Sequence, residues 1–264
     1  MQLAMLWTLS LFPSTLALPL LKIPDAKGIR PEQQQEQALT YLKRFYPSNS
    51  NVKDEDALEV KVKMMQKFFG LPITGEINSD IVEIMQKPRC GVPDIANYTL
   101  FPDMPRWPYR VVTYTIVSYT NHLPPAIVNH LVKKAFEIWG REIPLEFVEV
   151  IDEQYADIVI SFSRGAHGDN YPFKGPGNTL AHAYSPGQGL GGDVHFDLDE
   201  FWTHSQNRGI SFLIVATHEF GHSLGLAHSS DPRAVMYPTY RKRDLSDFRL
   251  SQDDINGIQR LYGN

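Results

Sequence analysis

Apolar residues in the first third of the chain recur at every third or fourth position, which is the period of an amphipathic helix. The apolar positions of three such runs are Ala38, Leu42 and Phe45, then Leu58, Val62, Met65 and Phe69, then Ile81, Ile84 and Met85. Between the second and third runs, the segment GLPITG (residues 70–75) is typical of a turn. The pattern predicts a small helical bundle, and nothing between residues 18 and 87 indicates a catalytic site.

After Asp94 the chain changes to β-branched and aromatic runs. Strands are predicted over residues 111–119, 143–150 and 156–162. A helix is predicted over residues 124–140, because its apolar residues share one face and Pro stands at its start. This order favours an α+β fold with a mixed sheet backed by helices. The tract over residues 165–192 is rich in Gly, Pro and metal-type ligands, and its length predicts a functional loop.

The amino end carries an uncharged and largely apolar run that predicts an export signal. No charged side chain occurs in residues 1–21, and the small residues Thr15 and Ala17 precede a plausible cut after Ala17. A membrane anchor is the rival interpretation, but Ser10 and Pro13 interrupt the run, and a span needs about 20 apolar residues. We therefore expect a secreted protein with residues 1–17 removed and no membrane span.

Charge divides the chain and excludes one class of partner. Residues 1–97 carry 11 basic and 11 acidic side chains, whereas residues 98–264 carry 14 and 19, which accounts for the whole net charge of −5. Part of the acidic excess lies in GGDVHFDLDE (residues 191–200). No strongly basic stripe is present, so nucleic acid is not an expected partner.

The segment HEFGHSLGLAH (residues 218–228) predicts a metal centre. His218 and His222 are four residues apart and share one face of a helix, with Glu219 beside them. Gly225 favours a left-handed turn that ends the helix and brings His228 back toward the pair. Three histidines leave the fourth position of a tetrahedral Zn²⁺ open, which is typical of a catalytic site. The alternative is a helix with chance histidines.

The full pattern H-E-x-x-H-x-x-G-x-x-H, with AVMYP (Met236) after it and PRCGVPD before it, resembles the matrix metalloproteinases, a family of metzincin zinc endopeptidases. The resemblance implies a signal peptide (residues 1–17), an inhibitory propeptide (18–97) and a catalytic domain (98–264). It also implies a mixed, mostly parallel five-stranded sheet with three helices, and no hemopexin-like domain is expected.

Cys90 is the chain's single cysteine and lies in PRCGVPD. The resemblance assigns its thiolate to the open zinc position of the inhibited form, where it excludes the nucleophilic water. A disulfide with another chain, or an idle buried thiol, is the alternative. Arg89 and Asp94 are candidates to pair and hold the loop. Activation then requires a cut near Asn97 and Tyr98, and Asn97 also begins a glycosylation sequon.

In the mechanism that the resemblance implies, Glu219 is the general base, and Met236 forms a hydrophobic floor beneath the histidines. Substrates are proteins of the extracellular matrix and cell surface, bound along an edge strand over residues 180–185. Ile214 shapes the specificity pocket, where core packing is the alternative role. An activating protease and protein inhibitors of metalloproteinases are implied partners of a monomer. A binding module without catalysis and a hydrolase of small molecules are the competing functions.

Further metals are implied by the same resemblance. A structural zinc is assigned to His167, Asp169, His182 and His195. One calcium is assigned to Asp157, Gly189, Gly191 and Asp193, and another to Gly175, Gly177, Thr179, Asp197 and Glu200. Lys174 stands where the family pattern has a calcium-binding Asp, which weakens the expectation for the second calcium. One or two calcium ions and two zinc ions are therefore expected.

Overall fold

The computed structural model describes residues 31–47, 54–94, 104–205 and 208–263. The predicted signal segment, the sequon at Asn97 and the predicted cut beside it lie outside these residues. Among the helices that the structure describes, none is long and apolar enough to cross a membrane.

The amino-terminal part is a helical bundle, as its apolar periodicity predicts. It consists of α1 (Pro31–Phe45), α2 (Asp54–Phe68) and α3 (Ser79–Met85). The apolar stripes meet in one small core, whose fully buried members are Leu42, Tyr46, Val62, Met65 and Ile81. Burying these faces against one another holds three short helices that would be marginal alone in water.

The main sheet has six strands in the order β1-β5-β6-β4-β2-β3. Its members are β1 (Arg89–Cys90), β2 (Val111–Ile116), β3 (Glu146–Glu149), β4 (Ile158–Ser163), β5 (Thr179–Ala183) and β6 (Val194–Asp197). All neighbours are parallel except β5 and β6. The five strands after Asp94 confirm the predicted mixed, mostly parallel sheet. The sixth strand, β1, precedes Asp94 and pairs with the edge of β5. A separate two-stranded parallel sheet is formed by β7 (Trp202–Thr203) and β8 (Ile210–Ser211), which follow β6 in the chain.

Three helices accompany this sheet, as predicted: α4 (Pro125–Gly140), α5 (Phe212–Ser223) and α6 (Gln252–Tyr262). Every residue of α5 is buried, and its Phe220 ring stacks on Phe136 of α4 with centroids 3.9 Å apart. A capping box between Ser251 and Asp254 begins α6. A single 3₁₀ turn (Glu153–Tyr155) precedes β4.

The chain turns sharply after α5 at Gly225, as the sequence predicts. Gly225 has φ +100°, and a Cβ atom there would lie 2.0 Å from the carbonyl oxygen of Pro105. Any other residue would be strained by the positive φ and by the close approach of its Cβ atom to Pro105. The turn directs the following residues back beneath α5, where they reach the histidines on that helix.

Candidate active site and metal centres

The first candidate metal centre joins residues from three parts of the chain. His218 and His222 lie on α5, His228 follows the Gly225 turn, and Cys90 belongs to β1. One ligand atom from each of the four lies within 4.8 Å of all the others, and all four residues are buried. The Nε2 atoms of His218 and His228 are 3.3 Å apart. The structure thus brings together the four residues that the sequence indicates for the catalytic zinc.

Two of these imidazoles are oriented by main-chain carbonyl groups. Nδ1–H of His218 donates to Val235 O, and Nδ1–H of His222 donates to Leu226 O, each at 2.7 Å. These bonds fix the tautomer in which Nε2 faces the centre. Burial lowers the pKa of His218 to about 3 and that of His222 well below its usual value. Both rings are therefore neutral, which is the form that binds a metal.

Glu219 and Cys90 meet at the same point. Cys90 Sγ lies 3.4 Å from Glu219 Oε2, and Glu219 has no exposed surface. Within the described part of the chain, Glu219 Oε1 and His222 Nε2 are buried and have no hydrogen-bond partner. Burial raises the pKa of Glu219 to about 8 and also raises that of Cys90, with the Glu219 carboxylate adding to the second shift. Unpartnered ligand atoms around a buried thiol fit a divalent cation, whose charge favours the thiolate.

The segment around Cys90 runs along the cleft and is hydrogen-bonded on both sides. On the β5 side, Arg89 N donates to Asn178 O (3.1 Å) and Gly91 N to Ala181 O (2.8 Å). On the other side, Cys90 N donates to Pro238 O (3.0 Å) and Tyr240 N to Pro88 O (2.8 Å). The edge that the sequence analysis expected to receive a peptide is therefore already occupied by the chain's own β1.

A buried cluster at the carboxyl end of α1 and just after it fixes the loop that follows Cys90. Arg89 pairs with Asp94, as predicted, and its guanidinium lies 3.6 Å from the centre of the Phe45 ring. Tyr46 donates to Asp94 Oδ2 at 2.5 Å, and Tyr41 forms a short hydrogen bond with Arg89. Burial opposes ionisation of Asp94, but Arg89 and His228 lower its pKa to about 2. Sequence reasoning missed both tyrosines, since their apolar spacing indicates only a helix core.

Met236 lies directly against the helix that carries the histidines. A Cβ atom at Gly221 would approach Met236 Sδ to 2.2 Å, so this contact needs glycine in α5. The backbone N–H groups of Val235 and Met236 donate to Asp254 at 2.8 and 3.0 Å. Asp254 thereby supports the Met236 turn. No motif points to this role of Asp254, although the Ser251–Asp254 spacing predicts a capping box.

A pocket opens beside His218 and Glu219. Its walls include Leu180, Ile214, Val215, Tyr237, Tyr240 and Arg243. Ile214 is buried, with 7% of its surface exposed, and it both packs in the fold and lines this pocket. The two roles that the sequence left open for Ile214 are thus compatible.

The second candidate metal centre comprises His167, Asp169, His182 and His195. Asp169 Oδ2 lies 3.1 Å from His167 Nε2, 2.7 Å from His182 Nε2 and 3.0 Å from His195 Nδ1. Burial lowers the pKa of His182 to about 4, against the opposing effect of Asp169. Three imidazoles and a carboxylate around one point fit a closed zinc site.

The residues indicated for the first calcium lie between β4 and the β5–β6 connection. The carboxylate of Asp157 accepts from Thr113 N (2.7 Å) and Tyr109 O–H (2.5 Å), while its main-chain carbonyl approaches Gly192. Asp193 Oδ1 accepts from Val159 N at 2.9 Å, and burial raises the pKa of Asp193 to about 6. The carbonyl of Asp157, rather than its carboxylate, is thus the oxygen that fits a ligand role.

The residues indicated for the second calcium include two buried carboxylates. Asp197 is fully buried and its Oδ2 has no hydrogen-bond partner among the described residues, while Glu200 Oε1 accepts from Gly177 N at 2.6 Å. Burial raises the pKa of both carboxyl groups. Lys174 is exposed, and within the described ranges no ion pair joins it to either group. An unpaired buried carboxylate oxygen fits a bound cation.

Comparison with known proteins agrees with this geometry. The family model of the matrixins matches residues 106–263, more than half of the chain, and that of a putative peptidoglycan binding domain matches residues 33–85. Matrilysin of Homo sapiens is 61% identical over 263 residues, which is 100% of this chain and 97% of its own. Matrilysin of Mus musculus is 55% identical over 263 residues, with 100% and 98% covered. The chain therefore belongs to the matrixin family, the matrix metalloproteinases.

Proposed function

We propose that His218, His222 and His228 hold the catalytic zinc, that Cys90 fills its fourth position in the latent chain, and that Glu219 is the general base. The convergence of these ligand atoms beside Glu219 in one buried cleft carries the proposal. Family membership makes the protein a secreted zinc metalloendopeptidase that is made as a zymogen and hydrolyses proteins of the extracellular matrix. Zinc and calcium are its metals.

The residues divide the chemistry between them. When bound, zinc polarises the scissile carbonyl group and makes water a better nucleophile near neutral pH. Val235 O and Leu226 O keep two imidazoles in the ligand tautomer. Glu219 takes the proton of the attacking water and returns it to the leaving amine, and its position beside the metal ligands suits both transfers. Met236 supports the histidines from below.

Latency rests on residues 18–97, the proposed propeptide, acting on residues 98–264, the proposed catalytic domain, after removal of residues 1–17. Cys90 blocks the metal position, and β1 occupies the edge of β5. An activating protease that cuts near Asn97 and Tyr98 would release both. An extended substrate peptide would then pair with the freed edge, while the pocket at Ile214 selects a side chain.

The remaining metals stabilise the catalytic domain, which has no cysteine of its own. We assign the second zinc to His167, Asp169, His182 and His195. The first calcium is assigned to the Asp157 and Asp193 region with the carbonyls of Gly189 and Gly191. The second, weaker calcium is assigned to Asp197 and Glu200 with Gly175, Gly177 and Thr179. Binding these ions stabilises the long connections that supply the ligands.

The test is cleavage of casein by the chain after propeptide removal, with and without a zinc chelator. We expect hydrolysis that the chelator abolishes and that added zinc restores. A chain that binds zinc but cleaves no protein would support a binding module, and cleavage of small esters or amides alone would support a small-molecule hydrolase. Protein inhibitors of metalloproteinases are expected to bind the opened cleft of a monomeric enzyme.

A further inference from the structure

His228 differs from the other two histidines in the partner of its outer nitrogen. His218 and His222 direct Nδ1–H to carbonyl groups of their own domain. His228 Nδ1 makes no linear hydrogen bond among the described residues, and it lies 3.0 Å from Asp94 Oδ1. Both side chains are fully buried. The surroundings of the third histidine are thus supplied by the segment after Cys90.

Asp94 is itself held rigidly in place. Its Oδ2 accepts from Tyr46 O–H at 2.5 Å and from Arg89 Nη1 at 3.1 Å, and Arg89 also contacts Oδ1. These groups leave the carboxylate little freedom to turn away from His228. A continuous set of contacts therefore runs from α1, through Tyr46 and Asp94, to His228.

We propose that Asp94 is a positioning residue for His228 in the latent chain, an inference that rests on the proposed zinc site. A carboxylate beside Nδ1–H favours the tautomer whose Nε2 faces the metal and makes that nitrogen a stronger ligand. The propeptide then contributes to the centre twice, through Cys90 as a ligand and through Asp94 behind a ligand. Propeptide removal takes away both contributions, so the mature enzyme holds its zinc less tightly than the zymogen does.

The test is Asp94→Asn in the full chain, made with Glu219→Gln in every variant so that no chain cleaves itself. Zinc affinity is measured by competition with a chromophoric chelator, and the absorption spectrum is recorded after cobalt substitution. We expect the affinity of the first centre to fall about 10- to 100-fold, as is usual when such an outer partner is lost. The cobalt bands should shift as well. Zinc at the second centre should be retained, which also shows that the variant is folded.

Two matched variants separate positioning from a general role in loop structure. Arg89→Gln removes the ion pair between Arg89 and Asp94 but leaves the Asp94 carboxylate beside His228. Tyr46→Phe removes one hydrogen bond to Asp94. Because each variant leaves the other group to hold the carboxylate, both should weaken zinc binding less than Asp94→Asn does. An equal loss in Arg89→Gln, or unchanged affinity and spectrum in Asp94→Asn, would overturn the inference. If His222→Ala left the zinc content unchanged, the proposed zinc site itself would be wrong, and this inference with it.

Discussion

Cys90 Sγ and Glu219 Oε2 lie 3.4 Å apart, although 129 positions separate the two residues in the chain. The thiol thus lies beside the proposed general base and within 4.8 Å of a ligand nitrogen of each of the three histidines. In the proposed mechanism, this one side chain keeps water from both the metal position and the proton acceptor. Latency and catalysis would then depend on the same few atoms.

Replacing Cys90 by Ser tests the thiol as the blocking group. Serine is a poor zinc ligand at neutral pH, so water should gain access to the metal. We expect the full-length variant to cleave a fluorogenic peptide, or to mature by itself, without added protease. Arg89→Gln serves for comparison, because it loosens the loop while keeping the thiol. A Cys90→Ser chain as latent as the original would assign latency to the packing of β1 alone.

Replacing Glu219 by Gln tests the general base. The amide cannot accept the proton of water, while the histidines keep their positions. We expect turnover of the matured enzyme to fall about 10²- to 10⁴-fold with zinc content unchanged. Peptide cleavage and metal analysis on the same sample check both halves of this expectation. Turnover equal to that of the original enzyme would contradict the assigned role.

Replacing Ile214 by Tyr tests the specificity pocket. Ile214 lines the pocket beside His218, and a larger ring there should shorten it. We expect the original enzyme to accept Leu-like and longer side chains at the position after the cut, and the variant to disfavour the longer ones. Cleavage of a peptide library by both proteins is the measurement. Indistinguishable profiles would leave Ile214 with a packing role only.

Replacing Lys174 by Asp tests the second calcium site. Lys174 is exposed, and the buried Asp197 Oδ2 has no hydrogen-bond partner among the described residues. A carboxylate at residue 174 adds an oxygen ligand and changes the local charge by two units, which should strengthen calcium binding. We expect the melting temperature to rise more in calcium than in chelator. Lys174→Ala separates loss of the ammonium from gain of a ligand. Equal rises in both solutions, or tight calcium binding by the unaltered site, would refute the prediction.

Replacing Gly225 by Ala tests the turn that delivers His228. The new Cβ would meet Pro105 O at 2.0 Å in a backbone with φ +100°. We expect a loss of stability above the roughly 1–2 kcal/mol that left-handed backbone alone costs, together with loss of zinc from the first centre. Gly165→Ala is the control, because Gly165 also has positive φ but has open space around its Cβ position. Thermal unfolding and metal analysis are the measurements, and similar values for both variants would contradict the steric argument.

The sequence alone determined the local elements and indicated the ligands proposed for the first centre. The helical stripes over α1–α3 and α4 are set by residues three and four apart, and the strand runs by β-branched and aromatic residues. His218, His222 and Gly225 act within one helix and its end, so their spacing already indicates their joint role. Such features depend on neighbours along the chain, and a single sequence contains them.

Only the tertiary structure decided which distant residues meet. Nothing in the spacing of Tyr46, Asp94 and His228 indicates their contact, because three separate segments are brought together by packing of α1 against the loop after Cys90. The same holds for β1 on the edge of β5, and for the Asp157 carboxylate, which bonds to Thr113 and Tyr109. Local propensity fixes helices and strands, whereas long-range packing decides which charges and hydrogen-bonding groups become neighbours.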